Sequence, residues 1–132
     1  YKDHYRRMEL IDLFLDTPVY NGHTTCLEAL WMGVPVLTIQ GESVSSRLCS
    51  SFLHALGMPE MVSGSMEDYV KKAVAMSDEA SLTTLKSKVQ QARQSSSLFD
   101  VPKLVRHLES AYDEMWNLHE KGLQPSDIHV DG

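Results

Sequence analysis

The chain has 132 residues, 42% of them hydrophobic, which is typical of a folded domain and argues against a disordered segment. Its formal net charge of −6 argues against a general nucleic-acid-binding surface. No apolar run approaches the roughly 20 residues of a membrane span, and the first residues of the given sequence do not have the basic-then-apolar pattern of a signal segment. We therefore expect no nucleic acid and no membrane among its partners. Because the first residues already read as helix, we expect the chain to be part of a longer protein.

Two cysteines, Cys26 and Cys49, are too few and too isolated for a disulfide framework. Both fall in predicted helices with mainly apolar neighbours, so we expect buried, reduced thiols and a reducing compartment. The six histidines are scattered singly, and no Cys/His group has metal-ligand spacing. The sequence therefore predicts no metal site.

The first predicted elements are a helix, a strand and a second helix. A helix over residues 3–12 would place three residues on its apolar side: Met8, Leu10 and Ile11. Residues 13–15 read as a short buried strand, which ends over residues 16–18 because proline cannot continue a central ladder. Residues 23–32 are predicted to form the next helix, which ends at Gly33 in a left-handed cap.

The second strand covers residues 35–39, whose nearly continuous apolar run is typical of a parallel sheet. A helix over residues 44–56 and a short edge strand over residues 60–62 follow. Because helices and strands alternate, the sequence predicts βαβ units and an α/β fold with a Rossmann-like parallel sheet flanked by helices.

Three more helices are predicted downstream of the sheet. The first begins after Ser65, which together with Asp68 resembles a capping box. The second covers residues 79–94, and the third covers residues 101–120 with Asp100 as its cap. These helices form a helical C-terminal extension of the α/β portion.

This pattern divides the chain into three functional parts. Residues 1–65 form the α/β portion that would bind a ligand, residues 66–122 form helices that pack on the same lobe, and residues 123–132 form a loose tail. In parallel α/β sheets, ligands bind outside the carboxyl ends of the strands. The loop over residues 16–25 leaves the carboxyl end of the first strand, so we expect the site there.

The most informative motif is Asn21-Gly22-His23-Thr24-Thr25, where this loop opens a helix. A helix N-terminus presents unpaired N–H groups and the positive end of the helix dipole, so it is suited to an anion such as a diphosphate. An ordinary N-cap also favours Thr and Asn, but three polar residues and a histidine exceed what one cap needs. We therefore expect His23, Thr24 and Thr25 to bind a ligand.

Glu28 lies about one turn further along the same helix, where its carboxylate could accept hydrogen bonds from ribose hydroxyls. By itself it could equally be a solvated surface group, but Gly33 and Pro35 then make the turn into the next strand. In the first helix, His4 and Arg7 share a face. They are either a basic surface patch or groups that point at the phosphates or base of a nucleotide. Together these residues predict a nucleotide-sugar pocket.

At these residues the chain resembles the C-terminal lobe of the O-linked N-acetylglucosamine transferases. The resemblance covers nearly the whole chain, although Glu28 with Gly33 and Pro35 alone occurs across many GT-B glycosyltransferases. The segments that carry it are Leu15-Asp16-Thr17-Pro18, Asn21-Gly22-His23-Thr24-Thr25, Leu30-Trp31-Met32-Gly33-Val34-Pro35-Val36, Ser46-Arg47, Ser97-Leu98-Phe99-Asp100, Leu108-Glu109-Ser110-Ala111-Tyr112 and Met115-Trp116.

The resemblance implies a GT-B fold, in which two Rossmann-like lobes hold a UDP-sugar in their cleft, mostly through the C-terminal lobe. The family places a lysine just before the first helix, where this chain has Tyr1 followed by Lys2. Carried over by position, the implied donor-binding residues are Lys2, His4, Arg7, His23, Thr24, Thr25 and Glu28.

The resemblance also implies a role for each part of this set. His4 and Arg7 would lie near the nucleotide, and residues 23–25 would cradle uridine and diphosphate. Glu28 stands where the family often has Asp and would bond the ribose hydroxyls.

The reaction implied is inverting transfer of N-acetylglucosamine from UDP-GlcNAc to Ser or Thr hydroxyls of proteins. Hydroxyls, the helix dipole and cations would stabilise the departing UDP without a metal or other cofactor. The sequence does not identify a catalytic base. The N-terminal lobe and superhelical TPR repeats are expected in the rest of the same polypeptide. The chain alone is therefore expected to be inactive, and the protein to be cytoplasmic, or nucleocytoplasmic in a eukaryote.

Three alternatives remain open at the level of the sequence. One is a SPINDLY-type protein O-fucosyltransferase that uses GDP-fucose, although that branch carries threonines where this chain has Gly22 and His23. Another is a non-catalytic nucleotide-sugar-binding or interaction module. The third is a generic α/β domain whose C-terminal helices serve as a docking surface, which leaves His23 and Glu28 unexplained.

Overall fold

The computed structural model describes residues 2–130, except for the side chain of Lys2. The expected lysine contact to the nucleotide, at Tyr1 or Lys2, thus lies outside the described residues. The chain divides into two compact units, one ending at Leu98 and the other beginning at Phe99. The functional division at residues 65 and 122 stays a prediction.

The first unit is built on a three-stranded parallel sheet. Its strands are β1 (Phe14–Leu15), β2 (Val36–Ile39) and β3 (Val62–Ser63), in the order β1-β2-β3. Strands β1 and β2 are parallel, with Phe14 opposite Val36, and strands β2 and β3 are parallel as well. The central strand β2 is buried along its whole length, which explains its continuous apolar sequence.

The α-helices among the described residues of this unit are α1 (Lys2–Met8), α2 (Thr24–Trp31), α3 (Leu48–Ala55), α4 (Met66–Ala75) and α5 (Glu79–Ser95). Helices α2, α3 and α4 pack against β2, and α2 also packs against α5. Because α2 connects β1 to β2 and α3 connects β2 to β3, the predicted βαβ organisation is confirmed. The core lies between these helices and the sheet.

The first helix is shorter than the sequence predicts. The expectation of a helix through residue 12 is wrong, because α1 ends at Met8. The N–H groups of Leu10 and Ile11 reach back only three residues, to the carbonyls of Arg7 and Met8 at 3.1 Å, so the chain tightens into a turn. Leu10 is consequently 83% exposed and does not lie on an apolar face.

The predicted helix over residues 44–56 is also wrong at its start. Val44–Ser46 forms a 3₁₀ turn, and α3 begins only at Leu48. Ser43 and Ser46 form a reciprocal capping box, in which each side chain accepts the other residue's backbone N–H. This local pairing closes a separate turn before α3. Similarly, a 3₁₀ turn over Pro59–Met61 shifts the edge strand to Val62–Ser63.

The caps predicted at other helix ends agree with the structure. Gly33, directly after the end of α2, has a φ of +80°, which is the left-handed conformation that glycine adopts without strain. Ser65 caps α4 by accepting the N–H of Asp68 at 3.1 Å, and the structure gives only this half of the capping box. Local sequence therefore sets these boundaries.

The second unit consists mainly of α6 (Val101–Glu120). Asp100 caps this helix by accepting the N–H of Lys103 at 2.9 Å, and Pro102 occupies its first turn, as the sequence predicts. Residues 123–130 have no regular secondary structure. Within residues 2–130, no helix combines the length and the apolar character needed to cross a membrane.

Candidate donor-binding site

The candidate site forms around the loop between β1 and α2, at the carboxyl end of the sheet. Asp16, directly after β1, is only 3% exposed and organises this loop. Its Oδ1 accepts the N–H of Gly22 at 2.7 Å, and its Oδ2 accepts the hydroxyl of Thr38 on β2 at 2.6 Å. Asp16 therefore ties both ends of the loop to the central strand.

A third contact to Asp16 comes from α4. The hydroxyl of Tyr69 donates to the Asp16 carbonyl at 2.8 Å. Burial first, and then the charge of Asp16, raise the pKa of the Tyr69 hydroxyl above its ordinary value, so the hydroxyl remains a proton donor. The sequence analysis placed Asp16 at the end of the strand and in a segment that carries the family resemblance, but gave it no role in the site. The signal that could have identified it is an acid placed between a strand and a helix-opening loop.

Asn21 joins this loop to the following one. Its backbone N–H donates to the Ser45 carbonyl at 3.0 Å, and its side-chain amide donates to the Thr17 carbonyl at 3.0 Å. The side chain is 1% exposed, so the loop is held from inside. Asn21 is therefore a structural residue of the motif.

His23 occupies the N-cap position of α2, and its side chain makes no capping hydrogen bond. Its ring stacks on Tyr20 with centroids 4.8 Å apart and an interplanar angle of 22°, and its Nε2 lies 3.4 Å from the Ser45 carbonyl oxygen. The side chain is therefore fixed from two sides while the end of the helix stays open.

Thr24 and Thr25 form the exposed first turn of α2. The first backbone hydrogen bond of this helix runs from Cys26 N–H to Gly22 carbonyl at 3.3 Å. Among the described residues, the N–H groups of Thr24 and Thr25 thus have no carbonyl partner. This exposed turn carries two N–H groups, two hydroxyls and the positive end of the helix dipole, a set of groups that suits a diphosphate.

The structure brings His4 and Glu28 together. His4 Nε2 on α1 lies 3.1 Å from Glu28 Oε2 on α2, and both side chains are partly exposed. A nucleotide at the end of α2 would therefore meet an imidazole and a carboxylate one turn along the helix. Sequence reasoning placed both residues at the nucleotide without predicting their contact.

Arg7 is not part of this pair. Its side chain is exposed in the last turn of α1 and, within the part of the chain that the structure describes, forms no hydrogen bond or ion pair. It lies one turn of α1 beyond His4, so its guanidinium remains free for an anionic ligand near that helix.

The chain as a whole is similar to known proteins in sequence and in fold. The family model described as glycosyl transferase family 41 matches residues 1–108. The chain belongs to this family. The resemblance found in the sequence is thereby confirmed, and it extends from α1 into α6.

Two proteins similar to this chain are named as peptide N-acetylglucosaminyltransferases. The chain is 42% identical over 123 residues to a UDP-N-acetylglucosamine–peptide N-acetylglucosaminyltransferase of Caenorhabditis elegans, covering 92% of this chain and 11% of that protein. It is 39% identical over 130 residues to a probable enzyme of the same name, SEC, of Arabidopsis thaliana, covering 97% of this chain and 13% of that protein. The chain thus spans about an eighth of the length of these relatives or less.

A solved structure confirms the fold. A mutant O-GlcNAc transferase of Thermobaculum terrenum superposes with a TM-score of 0.80 at 38% identity, over 88% of this chain and 22% of that chain. Since the matched protein is an O-GlcNAc transferase, the predicted Rossmann-like lobe of a GT-B glycosyltransferase is confirmed as the fold class of this family 41 chain.

The structure also brings together three potential metal-ligating side chains that are not close in the sequence. The ligand atoms of Asp16, Cys26 and Cys49 all lie within 4.8 Å of one another, and all three residues are buried. A hydrogen bond with Cys49, followed by burial, raises the pKa of the Cys26 thiol far above its ordinary value. Because Asp16 already accepts from Gly22 and Thr38, the donor set favours neutral packed thiols over metal ligation. Both cysteines are free and buried, as predicted.

Proposed function

We propose that this family 41 chain supplies the donor-binding part of a glycosyltransferase that transfers N-acetylglucosamine from UDP-GlcNAc to Ser or Thr hydroxyls of proteins, with inversion. The observation that carries this proposal is the open end of α2, where His23, Thr24 and Thr25 lie one turn from the His4–Glu28 pair. The names of the relatives support the choice of sugar donor and peptide acceptor.

In this proposal the donor lies across the N-terminal end of α2. Its diphosphate accepts the N–H groups and hydroxyls of Thr24 and Thr25, and the ribose hydroxyls donate to Glu28. His4, which contacts Glu28 in the structure, then lies beside the nucleoside. Lys2 and Arg7 are proposed as additional cations near the phosphates or the base.

The same groups account for leaving-group stabilisation. When the acceptor hydroxyl attacks the anomeric carbon, negative charge grows on the departing UDP. Fixed N–H donors and a helix dipole stabilise that charge without reorganisation. We propose that no metal ion or other cofactor is required, which predicts unchanged activity of the full-length protein in excess EDTA.

The remaining parts of the reaction lie outside this chain. Because it spans only 11–13% of the relatives described above, we propose that the opposite lobe, the repeats that bind acceptor proteins and the catalytic base come from other parts of a longer polypeptide. The chain alone is then inactive. Free buried thiols support a cytoplasmic or nucleocytoplasmic location.

The test is calorimetric titration of the full-length protein with UDP, GDP and UDP-GlcNAc. We expect UDP and UDP-GlcNAc to bind, and GDP to bind at least tenfold more weakly. His23→Ala and Glu28→Ala should each weaken UDP binding, and Glu67→Ala, which removes an exposed acid from α4, should not. Preferential GDP binding would favour the fucosyltransferase alternative, and binding without transfer to peptides would favour a non-catalytic module.

A further inference from the structure

A second concave surface lies beside helix α3, outside the residues proposed to bind the donor. This α3 groove has a volume of about 640 Å³, and its lining includes Arg47, Ser51 and His54 from α3 and its N-cap. Gln40, which directly follows β2, and Val44, which is 71% exposed, line it as well. The groove therefore combines polar side chains with an apolar wall.

Three of these polar residues form a row along α3. Arg47, Ser51 and His54 are spaced by four and three residues, so they share one face of the helix, and all three are exposed. Among the residues that the structure describes, the Arg47 guanidinium and the His54 imidazole form no hydrogen bond or ion pair. The groove thus offers a fixed positive charge and a ring N–H to a ligand.

The backbone that carries Arg47 is held in place. Its N–H donates to the Val44 carbonyl at 3.2 Å, and its carbonyl accepts the hydroxyls of Ser50 at 2.8 Å and Ser51 at 3.1 Å. Because the base of the Arg47 side chain is already ordered, a ligand that pairs with the guanidinium does not have to order the backbone around it.

The charge in the α3 groove is opposite to that of the whole chain. The chain has a formal net charge of −6, yet no Asp or Glu from its described part lines the groove. Glu42, the one acid within residues 40–54, is exposed and is not part of the lining. A carboxylate in the groove would therefore meet Arg47, whose guanidinium can form two parallel hydrogen bonds with it.

One short turn connects the α3 groove to the donor-binding site. Val44 lines the groove, and the carbonyl oxygen of the next residue, Ser45, accepts the N–H of Asn21 at 3.0 Å and lies 3.4 Å from Nε2 of His23. Both surfaces lie at the carboxyl end of the parallel sheet, where α/β proteins bind their ligands. A peptide segment in the groove would thus lie next to the donor.

We propose that the α3 groove binds an acidic segment of the protein acceptor, whose carboxylates pair with Arg47 and accept the ring N–H of His54. The exposed row, the apolar wall at Val44 and the amide of Gln40 suit an extended peptide, which has both apolar and hydrogen-bonding groups. This inference rests on the proposed function, because it names the class of acceptor, a Ser or Thr flanked by Asp or Glu, that the same enzyme would prefer.

The test uses three synthetic peptides that share one acceptor serine and differ only in the residues beside it, which are Asp, Asn or Lys. Transfer from UDP-GlcNAc by the full-length protein gives KM and kcat for each peptide. We expect a KM about three- to tenfold lower for the Asp peptide than for the Asn peptide. Arg47→Ala should remove this difference and leave kcat unchanged, because it removes a contact made equally in the ground state and the transition state. Arg47→Glu should shift the preference to the Lys peptide.

Two controls separate the groove from general charge and from the donor. Arg106→Ala removes an exposed guanidinium from α6, outside the groove, and should keep the preference for the Asp peptide. Calorimetry with UDP-GlcNAc should give the same dissociation constant for Arg47→Ala, Arg47→Glu and the unsubstituted protein, since Arg47 is not assigned to the donor.

Equal KM values of the unsubstituted protein for the Asp and Asn peptides would overturn the acceptor assignment, and so would a preference that survives in Arg47→Ala. Weaker UDP-GlcNAc binding by Arg47→Ala would also overturn it, by assigning Arg47 to the donor. Failure of the unsubstituted protein to bind UDP-GlcNAc would overturn the proposed function and the acceptor assignment with it, so the two failures are distinguishable.

Discussion

His4 and Glu28 are 24 residues apart in the sequence, and their side chains meet at 3.1 Å between Nε2 and Oε2. The carboxylate that we propose binds the ribose therefore already contacts an imidazole from another helix in the absence of ligand. Ligand binding must either share this contact or replace it, and the substitution of either residue should affect nucleotide affinity.

The first prediction concerns the length and charge of Glu28. Glu28→Ala should weaken UDP binding roughly 10- to 100-fold, because hydrogen bonds to a charged group contribute about 1.5–3 kcal/mol. Glu28→Asp should retain part of this affinity, since the carboxylate remains but is one methylene shorter. Calorimetry with UDP measures both. A change of less than twofold in the UDP affinity of Glu28→Ala would contradict a direct bond to the ribose.

The second prediction concerns Asp16, which supports the site loop without facing the ligand. Asp16→Ala should lower the free energy of unfolding by about 2–4 kcal/mol, because the partly buried N–H of Gly22 and the buried hydroxyl of Thr38 lose their acceptor. Urea denaturation measures this change. Asp12→Ala is the matched control, since its carboxylate is 69% exposed and pairs with Lys86 at the surface. Similar effects for both variants would show that the Asp16 network does not stabilise the fold.

The third prediction concerns the pH dependence of stability. The hydrogen bond to Cys49, and burial after it, raise the pKa of the Cys26 thiol, so the folded chain keeps this proton at a pH where the unfolded chain loses it. The stabilising contribution is complete below the unfolded pKa of about 8.5 and declines as pH rises above it, by up to about 1.4 kcal/mol per pH unit. Urea denaturation between pH 7 and 9.5 measures the decline.

Cys26→Ala is the control for this pH dependence. It should lower stability at pH 7, because the buried side chain is shortened, and it should also reduce the slope above pH 8.5. An unchanged slope in the variant would assign the alkaline loss of stability to other groups. Native Cys26 should also resist a thiol reagent until the chain is unfolded, because the reactive species is the thiolate.

The fourth prediction concerns the turn that supports His23 from the other side. A Cβ at Gly41 would lie 2.6 Å from the Cβ of Ser46, which is closer than real side chains approach. Gly41→Ala should therefore cost about 1–3 kcal/mol of stability and weaken UDP binding, because Ser45 holds both Asn21 and His23. Thermal denaturation and calorimetry measure the two effects. Gly64→Ala, where a Cβ meets nothing within 4 Å, should leave both quantities unchanged.

The helices and strands that the sequence predicts well depend on local signals. The helix capped by Asp100 begins at Val101 and ends at Glu120, as its cap and apolar spacing predict. The predicted end of α1 and the predicted start of α3 are wrong because tight turns replace the α-helix at both places. The chain forms i→i+3 hydrogen bonds after Met8, and Ser43 and Ser46 cap a 3₁₀ turn before α3. Apolar spacing alone does not distinguish such turns from continued helix.

In the candidate site, too, local features are predictable from the sequence and contacts between separate elements are not. His23, Thr24 and Thr25 are predictable, because a helix N-terminus after a strand is a local feature. The support of Asp16 by Thr38 and Tyr69, and the cluster of Asp16 with Cys26 and Cys49, depend on contacts between separate elements. The spacing of residues in the sequence does not show which separate helices and strands contact each other, so these contacts are seen only in the structure.

The hydrogen bond from Tyr69 to the Asp16 carbonyl joins residues 53 positions apart. This contact sets a minimum length for any truncated fragment of this protein that is to keep the site loop ordered. A fragment that stops before Tyr69 contains every side chain expected to touch the donor, yet it lacks the hydroxyl that secures the base of their loop. Trimming from the carboxyl end should therefore preserve an ordered loop only while the chain still includes α4.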